Sequence, residues 1–241
     1  METYDLQLPD QKRSIPVLID RKNIKTTRLR VYPDMTVKVS VSRSTPIKWV
    51  EDYLNSKNHW VSKKLYAFKQ TTGYAATTEI RNGISIRFLG EDLVFAISED
   101  RKPSVFIKGK VLHICTPDIN NQEKLIKQFD RWWRIESYKH LDLQVDKLYP
   151  IVEKYGVTRP KIWLRRMRTL WGSCSQTREV ITFNLYLTKA KPAYIEYVVL
   201  HELVHFLYPN HSKQFHNFLS SYMPDWKERK KVLDQDVVHG L

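Results

Sequence analysis

Residues 197–218 read YVVLHELVHFLYPNHSKQFHNF, an apolar run that nevertheless carries four histidines and a glutamate. Burying an imidazole or a carboxylate without a partner costs several kcal/mol, roughly 2–7 for a neutral polar group. A sequence this apolar therefore keeps such groups only where something compensates them. His201-Glu202-Leu203-Val204-His205 supplies the reason. On a helix, positions i and i+4 lie one turn apart on one face, so His201 and His205 can present two imidazole nitrogens to one metal ion. Glu202 stands beside them without having to be a ligand, placed to take a proton from a water and return it to a leaving group.

A catalytic Zn2+ site needs three protein ligands and one open position. The helix, expected from Pro192 to near Tyr208, is stopped by Pro209 and Asn210, and a second helix is expected from an N-cap at Ser212 to about Tyr222. His211 lies in the break, where the chain can double back on the metal. His216 lies within the second helix, where packing is the simpler role. His211 is therefore the expected third ligand. The six-residue spacing from His205 equals that of the longer H-E-x-x-H-x-x-G-x-x-H pattern, but Tyr208 stands in the place of its glycine. Cys174 is the competing ligand, since three histidines and a cysteine would close the tetrahedron and leave a purely structural metal. Gly172 reads as relaxing a tight turn.

Working outward, KIWLRRMRTLWGSCS (161–175) and EVITFNLYL (179–187) read as two strands joined by a turn, giving a small antiparallel sheet beside the helix. Trp163 is interleaved with Arg165, Arg166 and Arg168, a pattern suited to a positive face near the cleft. Arg166, Arg168 and Tyr208 are candidates for stabilising a developing oxyanion, and Asn184 either orients a ligand or satisfies backbone groups. Residues 119–149 form a long helical pattern with Leu125, Phe129, Trp132, Trp133, Leu141 and Leu148 as its stripe. Upstream, short alternating segments between Ile15 and Ser42 and again between Glu79 and Pro117 read as strands. A single amphipathic helix is expected over 46–70, capped by Thr45. The first residues, METYDLQLPDQKRS, are polar and show no secretory h-region, the final DWKERKKVL reads as a solvated, amphipathic helix, and the sequence shows no internal repeat.

The formal net charge of +14 over 241 residues favours anionic partners, so nucleic acid stands among the candidates. Two cysteines are too few for a disulfide framework and fit a reduced compartment. With no apolar run approaching the roughly 18 residues of a membrane span, the expected location is cytoplasmic and no membrane partner is expected.

The segments LWGSCS (170–175), ITFNLYL (181–187), YVVLHELVHFLYPNHSKQF (197–215) and MPDWKERKKVL (223–233) resemble the YgjP-like metallopeptidases, zincins related to the SprT-like and WLM families. The resemblance implies Zn2+ held by His201, His205 and His211, Glu202 as general base, and a peptide or protein substrate. Two positions depart from the family pattern: Leu170 stands where it usually has Arg, and His216 where it usually has Trp. The expected fold is α+β. A strand-rich N-terminal domain with one amphipathic helix covers 1–118, a linking helix 119–150, and a zincin-like catalytic domain 151–241. The expected function is a zinc metallopeptidase. The alternatives are a metal-dependent hydrolase of a nucleotide-like phosphoanhydride and a nucleic-acid-binding module with a structural metal.

Overall fold

The computed structural model describes residues 2–9, 14–32, 35–69, 79–167 and 170–238. They form a mixed α+β structure divided into two compact units, residues 1–74 and 75–237. In the first unit, β1 (Glu2–Gln7), β2 (Ser14–Lys22), β3 (Arg28–Val31) and β4 (Val37–Ser42) make one sheet in the order β1-β2-β4-β3. Val37, Val39 and Val41 alternate inward, as a half-buried strand requires. Within the polar N-terminal stretch lies a strand not expected from the sequence: Leu6 is fully buried and β1 pairs antiparallel with β2. The expected single helix is two, α1 (Ile47–Ser56) and α2 (Asn58–Lys69). The Ser56 hydroxyl donates to the Tyr53 carbonyl and the Asn58 side chain accepts from the His59 N–H, so short polar side chains compete with the helix at the break. Pro46, not Thr45, holds the N-cap position of α1, with no side-chain cap.

The second unit begins with β5 (Ser85–Phe88), β6 (Glu91–Glu99), β7 (Ser104–Lys108) and β8 (Val111–Thr116), ordered β5-β6-β8-β7. Both four-stranded sheets have antiparallel outer pairs around a parallel central pair. The chain thus repeats a topology that its sequence does not display. Helix α3 (Gln122–Leu148) follows, started by an Asn121 cap that accepts from the Lys124 N–H. Its Leu125, Phe129, Trp132 and Trp133 pack with Phe88, Phe95, Leu112 and Ile114 of the sheet. Further along, Leu141, Val145 and Leu148 join a different core that surrounds the histidine helix. One turn of helix, α4 (Pro150–Glu153), closes this segment.

The last sheet has three strands, β9 (Lys161–Arg165), β10 (Gly172–Ser175) and β11 (Val180–Asn184), in the order β10-β11-β9. It is mixed and not antiparallel as expected, because β9 runs parallel to β11. The stretch 161–175 is two strands on opposite sides of β11. Buried Asn184 holds the crossing: its side chain accepts from the Met167 N–H at 3.3 Å and donates to the carbonyls of Met167 at 2.8 Å and Leu170 at 2.9 Å. The alternatives for Asn184 resolve toward the backbone. Arg168 lies outside the described residues.

A 3-10 segment, Leu185–Lys189, then leads into α5 (Pro192–Val204) and is gripped from both sides. The β5–β6 turn donates Leu89 N–H to Thr188 O and Gly90 N–H to Lys189 O, while Trp133 Nε1 donates to Leu185 O and the Ser137 and Thr188 hydroxyls pair at 2.8 Å. Helices α6 (Lys213–Tyr222) and α7 (Trp226–Val238) complete the unit.

Gly90 is required twice. Its φ of +82° disfavours a side chain, and a Cβ there would lie 2.5 Å from Lys191 Cγ and 3.0 Å from Lys191 Cα. Gly109 also has positive φ, +61°, but open space around it. Gly90→Ala is expected to destabilise by about 2–4 kcal/mol and Gly109→Ala by about 1 kcal/mol, read by urea unfolding; equal costs would show that the contact with Lys191 is irrelevant.

Lys189 is buried, 9% exposed, with Nζ 5.3 Å from the Tyr186 ring centre. Burial, with Arg87 adding to it, pushes its ammonium down to about 8. Between that value and the ordinary lysine range the unfolded chain binds more protons, so this residue makes stability rise with pH from about 8 to about 10.5. Lys189→Met is therefore expected to be more stable than the parent at pH 7, by about 1–3 kcal/mol. The gap should close as pH passes through that window in parallel urea titrations.

Candidate metal centre and active site

Helix α5 is apolar on nearly every face, with Ile195, Val198, Val199, Leu200, Leu203 and Val204 all buried. It ends at Val204, four residues before the expected stop at Tyr208, and its last bonds tighten: Phe206 N–H reaches Leu203 O and Leu207 N–H reaches Val204 O. His205 is thus the C-cap residue, still in the helical region. Gln176, just past β10, donates its side-chain amide to His205 O at 2.6 Å and Phe206 O at 3.3 Å, satisfying carbonyls that the helix end leaves open. The chain turns through Pro209 and Asn210, and Ser212 caps α6 by accepting from the Phe215 N–H.

This turn returns His211 to the helix. The ligand-capable atoms of His201, His205 and His211 all lie within 4.8 Å of one another. His211 Nε2 and His201 Nε2 face each other at 3.0 Å. His205 Nδ1 lies 3.1 Å from the Tyr208 carbonyl. That acceptor fixes the proton on Nδ1 and leaves the lone pair of Nε2 for a metal, the outer-shell arrangement common to metal-binding histidines. His201 Nδ1 is buried with no hydrogen-bond partner, and burial followed by the neighbouring histidines pushes its imidazole down to about 3. Three imidazoles that burial keeps neutral, each with a ligand-capable nitrogen turned into the cluster, fit a bound divalent cation.

Phe215, fully buried, forms the floor. Its ring centre lies 5.0, 4.7 and 4.9 Å from those of His201, His205 and His211. His216 is outside the cluster and stacks on Trp226 at 5.1 Å and 8°, taking the aromatic place expected for it. Cys174 is also outside the cluster, and burial, followed by the Glu202 charge, pushes its thiol up to about 12.

Glu202 is 5% exposed and accepts a hydrogen bond from the Cys174 backbone N–H. Burial dominates that bond and pushes the carboxyl up to about 8. A Cβ on Gly172 would stand 2.6 Å from Glu202 Oε1 and 2.7 Å from its Cγ. Gly172 therefore does not relax a turn; it leaves the room in which the carboxyl lies against β10. The cavity over the cluster, about 580 Å³, is bounded by Leu170–Cys174 on one side and by Tyr197, Lys230 and Leu233 on another.

The model of the YgjP-like metallopeptidase domain matches residues 25–236. The chain belongs to the YgjP-like family. Among solved structures it is similar to the metallopeptidase zymogen of Methanocaldococcus jannaschii jannalysin, with 22% identity and a TM-score of 0.35, over 40% of this chain and 88% of that one. No curated protein matches significantly. Membership implies a metal ion and a peptidase activity, and among the described residues no helix is long and apolar enough to cross a membrane.

Sequence reasoning misplaced the basic residues of this YgjP-like chain. Arg166 pairs with Asp130 at 2.7 Å and is not among the residues lining the cavity, nor is Tyr208. Lys230, read as part of a solvated tail, does line it. Its signal was helical spacing: Trp226, Lys230 and Leu233 share one face of α7, and two of the three are buried.

Gly172→Ala is expected to lower turnover at least tenfold while leaving metal content near one per chain, because the added methyl meets the Glu202 side chain first and displaces its carboxyl. Metal analysis beside peptide hydrolysis checks this; loss of the metal as well would show that the strand supports the ligands instead.

Proposed function

We propose that this family member is a zinc-dependent peptidase in which His201, His205 and His211 hold the metal and Glu202 is the general base, with catalysis assigned to the segment 151–241. The reading rests on one observation: a buried carboxyl, on the residue following one histidine of the cluster, is held against the sheet edge that borders the cavity. Three imidazoles leave a fourth position of a tetrahedral ion open, the donor set of a catalytic zinc site. A zinc ion there would polarise a scissile carbonyl and bring the pKa of its water toward about 7.

The chain's own groups then divide the work. Glu202 takes the proton of the attacking water and gives it to the departing amine, a shuttle suited to a carboxyl whose burial raises its proton affinity toward neutrality. The Cys174 N–H keeps the carboxyl aimed while its charge changes. The Tyr208 carbonyl holds the His205 ring, and Phe215 excludes water beneath the ligands. Lys230 is the single lysine or arginine on the described cavity wall, placed to meet negative charge developing on the substrate. One cation is a poor match for a triphosphate, so the phosphoanhydride alternative gains no support from the wall.

The test combines metal analysis with an unbiased screen of peptides and nucleoside triphosphates. Glu202→Gln is expected to keep its zinc and lose about 10²–10⁴-fold in turnover, while His211→Ala should lose the zinc itself. Undiminished turnover in Glu202→Gln overturns the base assignment, and turnover of triphosphates alone overturns the peptidase.

A further inference from the structure

The basic, tryptophan-bearing stretch of β9 takes no part in the site described above. Strand order places β10 at one edge of the three-stranded sheet, on the cavity, and β9 at the other. Along β9 runs a second groove, about 690 Å³, lined by Ile162–Arg165 and by Arg134, Ile135, Tyr138 and Lys139 of α3. Alternate strand residues point to opposite faces, so four consecutive residues lining one groove means that it follows the strand's edge. Among the described residues no strand pairs with that edge. Its N–H and C=O groups are therefore a template for one more strand.

The groove is also apolar and positive. Ile135, Tyr138 and Trp163 are 45%, 43% and 48% exposed, more apolar surface than isolated surface residues present. Arg134 and Arg165 stand on its wall, and the nearby carboxylates are already committed: Asp130 to Arg166, Asp142 and Asp146 to Arg159, Glu136 to Lys139. The guanidinium of Arg178 lies 5.6 Å from the Trp163 ring centre, over its face.

We propose that this groove binds an extended polypeptide segment of alternating acidic and apolar residues, which adds to β9 as a fourth strand. The backbone edge supplies affinity by strand addition, the arginines select acidic side chains, and Tyr138, Ile135 and Trp163 take apolar ones. Single-stranded nucleic acid is the weaker match. It brings no peptide groups to the edge, and Arg178 occupies the ring face on which a base would stack. In a peptidase the bound segment would be part of the substrate, and that role rests on the proposed function. The two edges of a three-stranded sheet are roughly 10 Å apart, near enough for one polypeptide to lie on both.

The experiment uses metal-free full-length Glu202→Gln protein, in which cleavage cannot interfere, and fluorescence anisotropy of a labelled eight-residue Asp-Val repeat. Competitors are a Lys-Val repeat, an Asp-Val repeat N-methylated at alternate residues, and a twelve-nucleotide oligouridine. Saturable binding of Asp-Val is expected, weakening with salt, at least tenfold weaker in the Arg134→Glu, Arg165→Glu double variant, and lost in one of the two N-methylation registers. Equal binding by the double variant, indifference to methylation in both registers, or tighter binding of oligouridine overturns the proposal. An unchanged melting temperature of the double variant shows that it folds. Peptide turnover by the parent protein is read separately: turnover without Asp-Val binding rejects the groove alone, and binding without turnover of any peptide rejects the peptidase alone.

Discussion

The site depends on a close approach between a carboxyl and a backbone. Glu202 is buried on α5, a helix so apolar that an unsupported carboxylate there would be costly. Strand β10 offers two things at once, an N–H at Cys174 and an empty volume at Gly172. Any side chain at 172 would hold the strand away from the helix, and the carboxyl would lose both its donor and its cover. Helix, strand and cavity wall are therefore fixed by one steric condition.

The histidines impose a second condition, that the chain reverse immediately after α5. Once His205 becomes the cap, the open carbonyls of the helix end need donors, and Gln176 answers for two of them. Phe215 then fills the space under all three imidazoles. A polar or smaller residue there would admit water beside nitrogens that burial keeps neutral. A fully buried phenylalanine contributes about 1.5–3 kcal/mol to folding, so the ring beneath the three histidines is also part of the core.

The clustering of the three histidines was legible because its information is local: i, i+4 spacing, a proline break and a capping serine all lie within 22 consecutive positions. Strand alternation in Val37–Ser42 and the cap at Ser212 were legible for the same reason. What escaped was non-local. That 161–175 is two strands depends on Asn184 binding Met167 and Leu170 from 17 and 14 residues away. The purpose of Gly172 depends on Glu202, thirty positions later, and a glycine beside a strand reads as a turn until its neighbour is known. Lys230 was hidden because the amphipathic pattern of the last helix tells which face is buried, and does not tell that the rim of that face borders a cavity. The repeated strand order left no trace because alternation specifies which face is buried, and does not specify which strand is the neighbour.

Parallel pairing in the last sheet explains why the arginine-rich segment sits where it does. Parallel strands need a crossover, and the residues between β9 and β10 must pass from one side of β11 to the other. Had the segment continued as one strand on the β10 side of β11, Trp163 and Arg165 would not reach the far edge of the sheet, where β9 now pairs in parallel with β11. The Asn184 clasp prevents this. It sends the basic residues to the far edge, leaves Lys230 as the single described lysine or arginine on the cavity wall, and gives one small sheet two edges of different chemistry. The charge of the segment is thus separated from the histidine cluster by the width of the sheet, which leaves the proton affinity of Glu202 to burial and to the Cys174 N–H.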